Sequence, residues 1–246
     1  MTLLELKGVS KEFGAIRALH DVSISIAPGE VVGLMGDNGA GKSTIVKLIS
    51  GIYAPTSGVI AFEGRPANIH SPGEARRLGI ETVYQDLALA DNLTAAANIF
   101  LGRELKYNVG PFRFLRHGAM AARAAELFAE LKSETRAGDY VRQMSGGQRQ
   151  AVAIARTRLA DAKLIIMDEP TAAISVRQVA EVLGLINRLK DAGIAVILIS
   201  HRMPDVFTVC DRIVVLRRGT KVADKPVSAT SPEEVTALIT GAKEAA

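Results

Sequence analysis

The chain has 246 residues, 48% of them hydrophobic, with a formal net charge of +4 and a single cysteine. That length allows one or two domains around a large core, and one cysteine excludes an internal disulfide framework and fits a reducing compartment. Lys and Arg are scattered in ones and twos, so nucleic acid is not expected as a partner; no signal peptide is visible, and no apolar run approaches the roughly 18 residues of a membrane span.

In chain order, Leu3 to Val9 and Val22 to Ile26 alternate apolar and polar residues and read as half-exposed antiparallel strands. Pro28-Gly29 is a turn, and Glu30 to Met35 reads as a buried strand. It leads into Gly36-Asp37-Asn38-Gly39-Ala40-Gly41-Lys42-Ser43-Thr44, which fits the phosphate-binding pattern G-x-x-x-x-G-K-[ST], with a helix from Thr44 to Ile49 leading out. Glycines let the backbone N–H groups approach phosphate oxygens, and the helix N-terminus adds its positive end. Lys42 is placed to reach the β- and γ-phosphates and Ser43 to ligate Mg²⁺.

Residues 59–64 extend the antiparallel layer, 72–78 form a short helix, and 80–84 are a core strand followed by Gln85. From about Leu87 to Leu159 the spacing turns helical, at Thr94 to Leu101 and Ala119 to Leu131; the aromatic, basic stretch Gly102 to Gly118 reads as irregular. Ser145-Gly146-Gly147-Gln148 precedes another helix, and a serine hydroxyl, glycine N–H groups and a helix start make a second anion site. One chain then holds two phosphate half-sites, which two copies related head to tail can close on each other.

The apolar run Leu164 to Met167 ends in Asp168-Glu169-Pro170. A carboxylate at that sheet edge suits Mg²⁺, usually through water, and Glu169 can position or deprotonate an attacking water. Val176 to Lys190 is an amphipathic helix, Ala195 to Ser200 a strand, Pro204 to Cys210 a helix that buries its thiol, Ile213 to Leu216 a strand and Pro232 to Ile239 a last helix. Arg217-Arg218 reads as a solvated turn. Strands alternating with helices indicate a mainly parallel sheet covered on both faces.

With these motifs in this order, the chain resembles the nucleotide-binding subunit of an ATP-binding cassette (ABC) transporter over nearly its whole length. The family's signature is L-S-G-G-Q; Met144 stands here in place of the leucine. The resemblance implies an α/β fold: a P-loop NTPase (RecA-like) core with an antiparallel β subdomain and an inserted α-helical subdomain. One ABC ATPase domain would span 1–246, with 1–86 and 160–246 forming the core and 87–159 the helical subdomain. It further implies that Phe13 stacks on adenine, that Gln85 touches Mg²⁺ and senses a membrane partner, and that His201 contacts the γ-phosphate and orients Glu169. Residues 36–44 and Ser145, Gly146, Gly147 and Gln148 would hold ATP, Ser43, Gln85 and Asp168 the metal, and Lys42, Gln85, Glu169 and His201 the chemistry.

After Pro170 to Ile174, many members place an aspartate where this chain has Ser175, which can still cap the following helix. His20, His70 and His117 match no motif and are expected to be surface or local hydrogen-bonding residues. Tyr84 to Leu89, Met144 to Ile154 and Ile199 to Phe207 are similar to bacterial simple-sugar importers. That similarity implies an ATPase that energises sugar uptake from the cytoplasmic face of a bacterial inner membrane. Its expected partners are a second nucleotide-binding subunit (a homodimer), a separate membrane permease whose cytoplasmic helix docks near Gln85 and the helical subdomain and, indirectly, a periplasmic sugar-binding protein. The rival reading, a soluble ABC ATPase of translation or DNA repair, usually brings two cassettes per chain or a long coiled-coil insertion, and neither is present.

Overall fold

Alternating apolar residues near the N-terminus build an antiparallel sheet. In the computed structural model, which describes residues 2–172 and 174–242, β1 (Leu4–Phe13) and β2 (Ile16–Ile26) pair from Leu4 opposite Ile26 to Phe13 opposite Ile16. The two short strands expected from alternation are thus the ends of one long hairpin. Shifts of register between Leu6 and Glu12 carry the pairing through the stretch where the pattern breaks. Next come β3 (Val31–Gly36), α1 (Lys42–Ile49), β4 (Ser57–Phe62), β5 (Arg65–Pro66), α2 (Pro72–Arg77), β6 (Ile80–Val83) and α3 (Ala95–Ile99). They are followed by β7 (Lys106–Val109), β8 (Phe112–Leu115), α4 (His117–Glu130), α5 (Gly146–Leu159), β9 (Leu164–Asp168) and α6 (Val176–Asp191). The chain continues through β10 (Ala195–Ile199), α7 (Met203–Val209), β11 (Arg212–Arg217), β12 (Thr220–Pro226) and α8 (Pro232–Thr240).

The first sheet has the order β2-β1-β4-β5. The second has the order β12-β11-β3-β10-β9-β6, with β11, β3, β10 and β9 parallel and β12 antiparallel at one edge. Residues 31–35, 164–167 and 195–199 are all buried, as continuous apolar strands in a sheet covered on both faces must be. The expected mixture of parallel core, antiparallel layer and helical insertion is what the structure contains.

The described residues fall into two compact units, those within 1–82, 162–169 and 189–246 and those within 83–161 and 170–188. Ala173 and the terminal residues 1 and 243–246, which the expected loop before Ser175 and the expected domain span include, lie outside the described residues. The core of the first unit joins both sheets and α1 through Leu4, Leu6, Ile24, Val32, Ile45 and Ile197. In the second unit Ile99, Phe100, Leu127 and Phe128 are buried among α3, α4 and α5. There the buried Asn98 side chain pins the preceding loop, accepting from Ala90 N (2.7 Å) and donating to Ala90 O (3.0 Å) and Thr94 O (3.1 Å).

Residues 102–118 are not irregular. They contain the antiparallel ribbon β7–β8, with Lys106 opposite Leu115 and Val109 opposite Phe112. Every residue from 105 to 118 is exposed, so neither strand shows the one-sided burial that alternation detects.

Cys210, buried as expected, closes α7 beside β3. A Cβ at Gly33 would come 2.8 Å from Val206 Cγ1 and 3.2 Å from Cys210 Sγ, which is why the strand has glycine there. Burial, and then the charge of Asp211, push the thiol up to about 12. His20, His70 and His117 are exposed, and Arg218 sits in the turn between β11 and β12. No described helix is long and apolar enough to cross a membrane.

Candidate active site

β3 delivers the chain to the phosphate-binding turn. Gly36 and Gly41 have φ of 154° and 107°, and both need to be glycine: a Cβ at Gly36 would lie 2.5 Å from Leu216 O, and one at Gly41 2.6 Å from Leu19 Cδ2. The turn closes through Ala40 N to Asp37 O (3.1 Å) and Gly219 N to Ala40 O (3.0 Å). Lys42 folds back across it, its Nζ donating to Gly36 O (2.6 Å) and Asp37 O (3.0 Å). α1 starts from Gly41 with no side chain capping it. The first-turn N–H groups of Lys42, Ser43 and Thr44 therefore have no side-chain acceptor and point, with the helix dipole, at whatever anion occupies the turn.

Asp168 ends β9 beside Ile199. Burial first, and the neighbouring Glu169 carboxylate second, raise its carboxyl above the ordinary range, while Lys42 pulls the other way. A cation against this oxygen relieves both penalties. Among the described residues no three His, Cys, Asp or Glu side chains gather as a metal cage. One carboxylate and the Ser43 hydroxyl are the sparse protein donors that suit Mg²⁺, which keeps waters and takes phosphate oxygens as its other ligands.

Glu169 adopts a left-handed backbone, φ 51°, a conformation that costs a side-chain-bearing residue about 1–3 kcal/mol. Its N–H donates to Ile199 O at 2.9 Å, which fixes the turn at the strand end. Its Oε2 lies 2.8 Å from His201 Nδ1, yet this buried oxygen accepts no aligned hydrogen bond. Glu169 is 17% exposed and His201 73%. The His201 contact and the strained turn hold a partly exposed carboxylate in place at the strand end, where it can accept a hydrogen bond from water.

Phe13 ends β1, 41% exposed. Its ring meets Tyr53 edge-on, with centroids 5.0 Å apart, and Lys11 Nζ lies 5.1 Å from the Phe13 ring and 5.7 Å from that of Tyr53. Lys47 Nζ lies 5.5 Å from the Tyr53 ring. Tyr53 N donates to Lys47 O (3.0 Å), tying the ring to the end of α1. Tyr53, Lys11 and Lys47 were not singled out from the sequence; an aromatic in a turn after a helix has no periodic signal.

In the second unit Ser145 starts α5. Its Oγ accepts from Gln148 N (3.3 Å), and Gln148 Oε1 accepts from Ser145 N (2.9 Å), a reciprocal capping box. The glycines answer a packing demand as well as offering N–H groups: a Cβ at Gly146 would be 2.6 Å from Ile174 Cγ2, and one at Gly147 2.6 Å from Glu181 Oε2. Ser175 repeats the motif at α6, as expected of a cap, with Gln178 N to Ser175 Oγ at 3.4 Å and Ser175 N to Gln178 Oε1 at 2.9 Å. Gln85 lies exposed in a bend just past β6. The structure thus places residues 36–44, Phe13, Asp168, Glu169 and His201 in the first unit, and Gln85 and Ser145 to Gln148 in the second.

Residues 19–172 match the family model described as ABC transporter. The chain is 46% identical, over 97% of its length and 94% of the relative's, to a xylose/arabinose import ATP-binding protein of Sulfolobus acidocaldarius. It is 43% identical, over 98% and 95%, to a fructose import ATP-binding protein of Rhizobium meliloti. Among solved structures, a dimeric ATP-binding cassette in a post-hydrolysis state with ADP and Pi superposes with a TM-score of 0.75 at 28% identity, covering 92% of this chain and 99% of that one.

Proposed function

Because the chain belongs to the ABC transporter family, as an ATP-hydrolysing subunit, we propose that it powers import of a simple sugar through a separate membrane permease. The observation that carries the chemical part is the Glu169 carboxylate, one residue from Asp168, with its Oε2 held 2.8 Å from His201 Nδ1. In this reading the open first turn of α1 and Lys42 hold the phosphates, and Ser43 and Asp168 hold Mg²⁺, which neutralises charge on the reacting phosphate. Glu169 accepts a proton from the attacking water, and His201 steadies Glu169 and faces the γ-phosphate. Phe13 stacks on adenine, and Gln85 joins the metal and reports the permease.

Ser145 to Gln148 of one copy would close over the nucleotide of another, a reading supported by the dimeric cassette of the same fold. Sugar as cargo is supported by the xylose/arabinose and fructose relatives. A periplasmic sugar-binding protein would act through the permease, with this subunit at the cytoplasmic face of the membrane.

The test is the Glu169→Gln chain, tagged and expressed in its own host. Hydrolysis should fall by about 10²–10⁴-fold with ATP binding retained, and the ATP-locked dimer, drawn from detergent-solubilised membranes, should bring a multi-spanning permease with it. Normal turnover would remove Glu169 from the chemistry. Recovery of ribosomal or DNA-repair proteins without a permease would overturn the transport role and leave the ATPase standing.

A further inference from the structure

Phe13 does not stand alone at the end of β1. Tyr53, in the turn after α1, meets its ring edge-on with centroids 5.0 Å apart. The two rings differ in freedom. Phe13 is exposed, whereas Tyr53 is partly buried and packs on the core of the first unit. The N–H groups of Ile52 (2.8 Å) and Tyr53 (3.0 Å) both donate to Lys47 O, so the turn is fastened to the last turn of α1, the helix whose first turn is open to phosphates. The ammonium groups of Lys11 and Lys47 lie 5.7 and 5.5 Å from the Tyr53 ring, a range in which cation and ring attract.

Other contacts join the same two segments without using either ring. Lys11 Nζ donates to Ala54 O (2.8 Å), Glu12 N to Thr56 Oγ1 (3.0 Å) and Thr56 N to Ser10 O (2.9 Å). Hydrogen bonds therefore place the end of β1, and the Tyr53 ring is left to act on the Phe13 side chain. An exposed aromatic side chain at a strand end has several staggered rotamers open to it, and a base that stacks on it must first stop that exchange. A second ring against it selects one orientation before the ligand arrives.

We propose that Tyr53 is a positioning residue for nucleotide: its ring, anchored to α1, holds Phe13 in the orientation that stacks on the base. This rests on the reading of Phe13 as the residue that stacks on adenine. Base and phosphates are then served from the two ends of one helix, the phosphates by the first turn of α1 and the base through the turn tied to its last.

Calorimetric titration of the dilute full chain with Mg²⁺-ATP and, separately, with Mg²⁺-tripolyphosphate, which has no base, tests the role. Tyr53→Leu should weaken ATP binding by about two- to tenfold, the worth of an aromatic pair, and leave tripolyphosphate binding at the wild-type value. Tyr53→Phe, which keeps the ring, should bind ATP like wild type. With Phe13→Ala already in place, Tyr53→Leu should cost nothing more. Wild-type ATP affinity in Tyr53→Leu, with Phe13→Ala impaired, would overturn the role of Tyr53 and leave Phe13 on adenine. Equal losses for ATP and tripolyphosphate would overturn it too, making Tyr53 a support of the phosphate turn, as would additive losses in the double variant. Full ATP affinity in Phe13→Ala would remove the adenine reading and the role of Tyr53 together.

Discussion

α1 and α5 both begin at glycine-bearing turns, yet their first turns are finished differently. α1 follows Gly41 and has no side-chain cap; α5 follows Ser145, whose hydroxyl and the Gln148 amide satisfy each other's backbone groups. An anion at α1 therefore meets donors with nothing else to bind, whereas one at α5 meets a turn already partly satisfied. The contrast fits the proposed division of labour, in which the first unit would capture nucleotide alone and the second would add its contacts only when another copy brings the phosphate to it.

The largest expected effect on nucleotide binding comes from removing the charge at the open turn. Lys42→Ala should weaken ATP binding by about 10–100-fold, the worth of a charged hydrogen bond, read by titration calorimetry. Unchanged affinity would mean that the α1 amides suffice without it. Ser145→Ala breaks the other side. It should cost about 1 kcal/mol of stability as a lost cap, leave ATP binding by dilute chain unchanged, and lower ATPase activity only at concentrations where chains pair. A loss of affinity in the dilute chain would dissolve the contrast.

Asp168→Asn should give the smallest shift, and its sign is the test. A carboxyl raised above its unfolded value favours the protonated form in the fold, so its contribution is present at low pH and lost as pH rises through the raised value. The neutral amide carries no such loss. The nucleotide-free variant should therefore melt above wild type at neutral pH, with the gap closing under acid, while Mg²⁺-dependent hydrolysis is lost. A lower melting point at neutral pH would show that the carboxylate is stabilised in the fold.

The phosphate turn, Asp168 and Glu169 were legible in the sequence because their residues are contiguous and flanked by a strand or helix of clear period. Other features were not. Glutamate has no preference for a left-handed backbone, so the turn at Glu169 comes from the hydrogen bond to Ile199, far along the chain. β12 is polar and lies at a sheet edge, so its pattern shows no continuous apolar run. The ribbon β7–β8 buries neither face. Ser145 and Gln148 were legible as an anion site, but the same S-x-x-Q spacing also writes a capping box, and the structure uses it as one.

Cys210 makes the chain ready for site-selective fluorophore chemistry. It is the sole thiol in the sequence, enclosed by β3 and α7. With its acidity pushed to about 12, the thiolate fraction at mildly alkaline pH is on the order of one in ten thousand. A cysteine introduced at the exposed Asn108 (Asn108→Cys) becomes the one position that takes a maleimide dye. Dye-to-dye distances can then be read from a chain whose native residues are otherwise untouched.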